Sequence, residues 1–322
     1  MNSKPETLQL ETPLRNPRIV AWEITRRCEL KCRHCRGSAR DCDYAGEFST
    51  EECLKTVDAL AAFSKPMIIL TGGEPLMRDD IFEVARYATD SGCRVVLATC
   101  GHLLTEDVAR KLKASGVMAV SVSLDAATAE KHDAFRGIPG AYEKTVVSLE
   151  FLKTAGVPFQ INTTVSTLNV DELPQILANA VELGAAAMDF FFLVPTGRGT
   201  EIADLALNPE RRDQALKWIA AQAGSVPIRV KTTCAPQYRQ HTSDPSFRGC
   251  MGGRGFVFIS HTGILQTCGF LDLPCGDLRA AGFDFETLYK NAEVFKNMRT
   301  LNPFAGCPAR AYARTGNYME KE

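Results

Sequence analysis

Six short apolar or β-branched runs, separated by helical patterns, constrain this chain more than any other feature. The runs are "RIVAWEIT" (18–25), "PMIILT" (66–71), "CRVVLAT" (93–99), "VMAVSVSL" (117–124), "VPFQINTTV" (157–165) and "AMDFFFLV" (187–194). Runs of this kind suit strands that are covered on both faces. Between them, "STEECLKTVDALAAFS" opens on a Ser/Thr cap and places Glu51 and Glu52 in its first turn. "DDIFEVARYATDSG", "TEDVARKLKASG", "AYEKTVVSLEFLKTAG" and "DELPQILANAVELG" stop at Gly92, Gly116, Gly156 and Gly184. The alternation predicts parallel βα units, an α/β sheet or barrel that binds ligands at the carboxyl ends of its strands.

The chemical signals fall where that fold puts its ligands. A loop with three cysteines, "CELKCRHC", follows the first strand, "TGGEP" the second, "SLD" ends the fourth and "PTGRG" follows the sixth. Outside the alternation, residues 1–17 read as a polar tail, 18–207 as the barrel-like body and 208–227 as a bridging helix. Residues 228–322 are rich in Cys and Gly and read as a small domain stapled by something other than a large apolar core.

Cys28, Cys32 and Cys35 stand in C-x3-C-x2-C spacing. A disulfide uses two thiols, and a closed zinc site wants four ligands. Three thiolates suit a [4Fe–4S] cluster whose fourth iron is left for another ligand. Zinc, with His34 as a fourth ligand, and plain structural cysteines are the alternatives. The chain has twelve cysteines and a start without the apolar stretch of a secretory signal, so metal or redox chemistry is favoured over a disulfide framework. Cys53 and Cys93 lie in helix-like segments and read as packed small hydrophobes.

With Gly72-Gly73-Glu74-Pro75 after the second strand, the cysteine loop resembles that of the radical S-adenosylmethionine (SAM) enzymes. The resemblance implies a partial (β/α)6 barrel, a [4Fe–4S] cluster on Cys28, Cys32 and Cys35, and SAM chelated by the open iron. It implies SAM contacts at Gly72, Gly73, Glu74, Ser123 and Asp125, with Arg136 and Asn162 as further candidates. Those residue types are also favoured turn and cap residues. His34 stands where the family usually has an aromatic residue. "C250-x12-G263-x4-C268" resembles the start of a Cys-rich SPASM extension. The dense cysteine run usual there is missing, and only Cys307 remains before "ARAYARTG". The resemblance implies one auxiliary cluster on Cys250, Cys268, Cys275 and Cys307, with Cys234 in reserve.

Through "ILTGGEPLMRDDIFEVARYATDSG", "DAFRGIPGAYE", "FQINTTV", "FLVPTGRG" and "CGFLDLPCGDLR" the resemblance extends over most of the chain to the haem synthases of the siroheme-dependent pathway. They convert two propionates of iron-coproporphyrin III to vinyls by oxidative decarboxylation. Relatives deacetylate siroheme-derived tetrapyrroles or take part in haem d1 formation. Here the auxiliary cluster would accept the electron released, and a flavodoxin or ferredoxin would supply the reducing one. Cys100 departs from the asparagine expected before Gly101. A basic run, Arg26, Arg27, Lys31, Arg33, Arg36 and Arg40, surrounds the loop beside Glu29, and Arg198 follows the sixth strand. Such a rim suits carboxylates, with Arg33, Arg36 and Arg198 as substrate contacts, although a basic run is also an ordinary solvated face.

A net charge of −1 gives no whole-chain case for nucleic-acid binding, and acids interrupt the most apolar stretch, so no membrane span is expected. The chain reads as cytoplasmic. Two other classes compete. A SPASM-type peptide maturase usually carries a peptide-binding domain before its barrel, and seventeen residues are too few for one. A zinc- or cluster-binding scaffold or redox sensor would need no catalysis.

Overall fold

The computed structural model describes residues 16–322. Residues 1–15 of the expected tail lie outside them. All six expected strands form: β1 (Ile19–Thr25), β2 (Met67–Gly72), β3 (Arg94–Thr99), β4 (Val117–Ser123), β5 (Phe159–Val165) and β6 (Ala187–Phe192). Each runs parallel to the next. The connections hold α1 (Thr50–Phe63), α2 (Ile81–Asp90), α3 (Glu106–Ala114), α4 (Ala129–Arg136), α5 (Ala141–Thr154) and α6 (Leu173–Glu182). Helix α1 begins in a capping box. Ser49 accepts from the Glu52 amide, and the Glu52 carboxylate accepts from the Ser49 amide. Helix α4 escapes the periodicity because "AEKHDAFR" is mostly polar, yet it buries His132, Phe135 and Arg136.

The sheet continues past the expected barrel. After α7 (Pro209–Gln222), β7 (Arg229–Thr233) pairs parallel with β6. β8 (Phe256–Ile259) pairs parallel with β1 at the other edge, followed by antiparallel β9 (Ile264–Gln266) and β10 (Gly276–Asp277). Among the described residues the order is β10-β9-β8-β1-β2-β3-β4-β5-β6-β7. The boundary drawn at 228 therefore does not interrupt the sheet: strands from the Cys-rich segment extend both of its edges. β7 is missed in the sequence because "RVKTT" carries one apolar residue and lies at an edge. Helices α8 (Phe285–Asn291), α9 (Glu293–Thr300) and α10 (Pro308–Thr315) complete the chain.

The main core lies along the central strands. Val20, Trp22, Ile68, Leu70, Val95 and Leu97 are fully buried in the main core, each worth roughly 1.5–3 kcal/mol relative to exposure. On β4 and β5 the alternation is visible. Val120, Val122, Phe159 and Ile161 are buried, whereas Ser121, Ser123, Gln160 and Asn162 are half-buried on the other face. Register sets Ser121 beside Gln160 and Ser123 beside Asn162. A polar lining thus leads toward the carboxyl ends of the strands, where the cysteine loop sits.

Candidate active site

The loop from Arg26 to Arg40 leaves β1 and is held by hydrogen bonds from three directions. The Gly73 amide donates to Thr25 O (2.8 Å) and the Glu74 amide to Arg27 O (2.8 Å). The Lys31 and Arg33 amides donate to Arg136 O (3.3 Å) and Phe135 O (3.0 Å) at the end of α4. From the loop after β6, the Arg198 amide donates to Cys35 O (3.0 Å). A Cβ on Gly197, at φ +56°, would stand 2.1 Å from Arg36 O. Only glycine lets these segments approach so closely.

Cys28 and Cys32 are buried with Leu30, Ala39 and Cys100, and Cys35 packs against this group. Each of the three loop sulfurs receives an N–H donor. Leu30 N donates to Cys28 (3.4 Å), Ala39 N to Cys35 (3.3 Å) and Arg136 Nη1 to Cys32 (3.7 Å). Such donors stabilise sulfur that carries negative charge. Burial pushes the Cys28 and Cys32 thiols up, against the Arg136 charge in the case of Cys32, so a metal must displace their protons.

The basic rim is largely internal. Arg36 pairs with Glu23 (2.9 Å), donates to Gly269 O (3.4 Å) and stacks over Phe258 at 4.4 Å. Arg198 donates through Nε to Cys32 O (2.8 Å) and through Nη1 to Ala39 O (3.0 Å). These contacts hold the cysteine loop, and Arg198 Nη2 is left without a hydrogen-bond partner among the described residues. Arg26 pairs with Glu23 (3.0 Å) and Arg27 with Asp41 (2.7 Å). Glu23 is the residue that the sequence reading passed over, although a carboxylate inside an apolar strand is a signal. It is fully buried and also lies 3.3 Å from His261 Nδ1. Burial works against the Glu23 carboxylate, yet Arg36, His261 and Arg26 hold it well below the usual range. Arg33 is exposed and lines a cavity of about 180 Å³ with Asp125, Phe135, Ser166 and Asn169.

Of the expected SAM contacts, Glu74, Asp125 and Arg136 have contacts to the loop. Glu74 is fully buried and accepts from Leu76 N (3.1 Å), the Thr99 hydroxyl (2.8 Å) and Cys100 N (2.9 Å). Burial raises its carboxyl, and these partners are all neutral. Asp125 accepts from Thr164 N (2.7 Å) and pairs with Arg136 (2.6 Å). Burial opposes the Asp125 charge, and Arg136 overcomes it. Arg136 therefore joins the end of β4 to the Cys32 sulfur. His34 stacks on Phe135 with centroids 4.3 Å apart. Burial brings its imidazole down to about 4, so it is neutral at pH 7.

A second set of thiols lies in the C-terminal segment. Cys307 is buried with Val194, Leu271, Met298 and Ala309, and Cys234, Cys250 and Cys268 pack against this group. Cys234 hydrogen-bonds Cys307, drawing Cys307 down and pushing itself up. Cys268 senses both Cys250 and Cys307 electrostatically. Cys275 stands elsewhere. It packs in the main core, and its thiol donates to Leu273 O (3.3 Å). Of the expected ligands, Cys275 therefore lies apart from Cys250, Cys268 and Cys307, whereas the reserve residue Cys234, which follows β7 at the opposite edge of the sheet, packs with them. If this set binds iron, Cys234→Ala should lose that iron and Cys275→Ala should keep it, read as iron per chain on anaerobic protein.

Among the described residues, no three His, Cys, Asp or Glu side chains close on a single-ion site. The donor chemistry of both sets, clustered sulfurs in apolar surroundings, fits iron–sulfur clusters.

A partial barrel carrying three clustered thiols after its first strand defines a radical SAM enzyme, and residues 22–180 match the radical SAM superfamily. The AdoMet-dependent heme synthase of Methanosarcina barkeri is 44% identical over 336 aligned positions, covering 95% of each chain. This chain belongs to that radical SAM haem synthase family. The 336 positions exceed its 322 residues, so the relative carries segments that this chain lacks. The mycofactocin maturase MftC of Mycolicibacterium smegmatis is 32% identical, covering 93% of this chain and 76% of that one. The structure of Streptococcus suis SuiB bound to S-adenosylmethionine aligns with a TM-score of 0.74 at 11% identity, covering 95% of this chain and 76% of that one. That likeness concerns the fold alone. Among the described residues, no helix is long and apolar enough to cross a membrane.

Proposed function

We propose that this enzyme converts two propionates of iron-coproporphyrin III to vinyl groups, giving haem b. The observation that carries the reading is the 44% identity to a heme synthase across 95% of both chains. When bound, a [4Fe–4S] cluster and SAM supply a radical able to take hydrogen from an unactivated carbon. Each propionate loses one hydrogen atom from its β-carbon. The bond to the carboxyl carbon then breaks, CO2 leaves, and one electron departs as the vinyl group forms.

The residues have positional roles in this reading. Cys28, Cys32 and Cys35 hold the cluster. Gly72 and Gly73 carry the backbone that meets the SAM amino group, and buried Glu74 shapes that turn. Ser123, Asn162 and Asp125 face the nucleoside, with Arg136 tying Asp125 to Cys32. Cys234, Cys250, Cys268 and Cys307 hold an auxiliary cluster that accepts the released electron, which gives the 228–322 segment its role. A flavodoxin or ferredoxin reduces the enzyme in the cytoplasm.

Arg33 is the carboxylate contact in this scheme, since its exposed side chain lines the cavity beside Asp125. Arg33→Ala should raise KM about tenfold with kcat little changed, the size of one charge-assisted hydrogen bond. Steady-state kinetics at two salt concentrations checks this. For the reaction itself, anaerobic incubation with SAM, a reductant and iron-coproporphyrin III should yield haem. Abundant 5′-deoxyadenosine with untouched porphyrin would overturn the substrate and point to another siroheme-derived tetrapyrrole.

A further inference from the structure

Solvent reaches the inner face of the partial barrel. Leu70, Leu97, Val122 and Ile161 are buried in the main core with the helices. Their neighbours Thr71, Ala98, Ser123 and Asn162 point the other way and are only half-buried. Strand β6 brings a charge to that inner face. Its Phe190 packs edge-on against Trp218 of α7, with ring centroids 6.2 Å apart, which turns Asp189 inward. Register sets Asp189 beside Asn162 on β5 and beside Lys231 on β7. Ser123, Asn162, Asp189 and Lys231 therefore form one row across four adjacent strands.

Lys231 Nζ lies 3.5 Å from Asp189 Oδ2, so its side chain shares the inner face. The Thr233 hydroxyl donates to the same carboxylate, 3.0 and 3.1 Å from its two oxygens. Burial raises the Asp189 carboxyl, and Lys231 leads the groups that oppose the rise. The Asp189 side chain is 7% exposed and that of Lys231 39%. One partner is sunk in the wall, while the other reaches the open space. Among the described residues Asp189 is the one ion-pair partner of Lys231, which leaves its ammonium with further donors. A buried ion pair adds little stability over apolar packing, so this one calls for another use.

Its position supplies one. Ser123 and Asn162, the expected SAM contacts, stand in the same row, and Lys231 is two strands, about 10 Å, from Asn162. Three residues after Lys231 comes Cys234, which packs with the second set of thiols. We propose that Lys231 binds a carboxylate of the substrate inside the barrel, with Asp189 fixing the ammonium on the wall. The inference rests on the reading of the substrate as iron-coproporphyrin III. That porphyrin carries more propionates than the two it loses, so it needs carboxylate contacts besides Arg33. The carboxylate of SAM has the same chemistry, and the experiment separates the two sources.

Anaerobically purified holoenzyme is titrated with iron-coproporphyrin III and with its methyl ester, followed by porphyrin absorbance, and separately with SAM. Lys231→Ala should raise the Kd for the free acid about tenfold, the size of one charge-assisted hydrogen bond. The Kd for the ester, which has no carboxylate charge, and the Kd for SAM should not change. Lys231→Arg keeps the charge and should stay within about threefold of wild type. Lys231→Met keeps the apolar stem without the charge, and covers the case in which alanine disturbs folding. An equal loss for acid and ester, or a Kd for the acid within about twofold of wild type, overturns the proposal. Weaker SAM binding with porphyrin binding intact assigns the carboxylate to SAM and overturns it as well. If wild type binds neither acid nor ester, the substrate reading itself fails, and this inference falls with it.

Discussion

Replacing Gly73 by alanine is expected to empty the Cys28, Cys32 and Cys35 loop of iron and to abolish SAM cleavage. An added Cβ would lie 2.2 Å from Arg27 O and 2.4 Å from Arg26 O. Both neighbours are backbone, so no side chain can swing aside. The Gly73 and Glu74 amides also donate to Thr25 O and Arg27 O, so relieving the clash breaks the bonds that dock the loop. Overpacking of this kind costs about 1–3 kcal/mol, and a site displaced by more than about 0.5 Å loses its working geometry. Gly199→Ala is the control. It lies in the loop after β6, and its added Cβ would meet nothing nearer than 3.6 Å. Iron per chain and 5′-deoxyadenosine formation should collapse in the first variant and persist in the second.

Glu23→Ala is expected to lower stability by about 3–5 kcal/mol, because it leaves Arg36 and Arg26 without their buried counter-charge. The consequence reaches further than the pair. Arg36 belongs to the cysteine loop, yet it also donates to Gly269 O and covers Phe258 on β8. Glu23 thereby ties the catalytic loop to the segment that carries Cys268. Glu23→Gln keeps the shape and some of the hydrogen bonds, so it should recover part of the stability. Urea unfolding of the two variants, with iron counted on the same samples, checks both statements. A loss within 0.5 kcal/mol, the order seen for ordinary surface changes, would show that the network contributes little.

Local pattern made the βα alternation legible, since each strand is an apolar run and each helix has its own cap or stop. The cysteine loop was legible because its ligands are close in sequence. What escaped depends on distant partners. Arg36 and Arg198 read as a basic rim, but their partners lie 233, 166 and 159 residues away in Gly269, Cys32 and Ala39. The family resemblance likewise put Cys275 ahead of Cys234. Only the strand order shows that β7 brings Cys234, at φ +59°, toward Cys307, while Cys275 turns into the main core. Helix α4 and strand β7 were passed over for a related reason: their few buried residues are chosen by packing rather than by periodicity.

In the proposed enzyme three loop thiols hold the catalytic cluster and a separate C-terminal set holds a second one. Counting iron in the Cys28/Cys32/Cys35 triple-alanine variant, purified anaerobically, tests this most directly. About four irons per chain, half the wild-type content, should remain, with SAM-dependent 5′-deoxyadenosine formation abolished. Wild-type iron content with 5′-deoxyadenosine formation intact would contradict it.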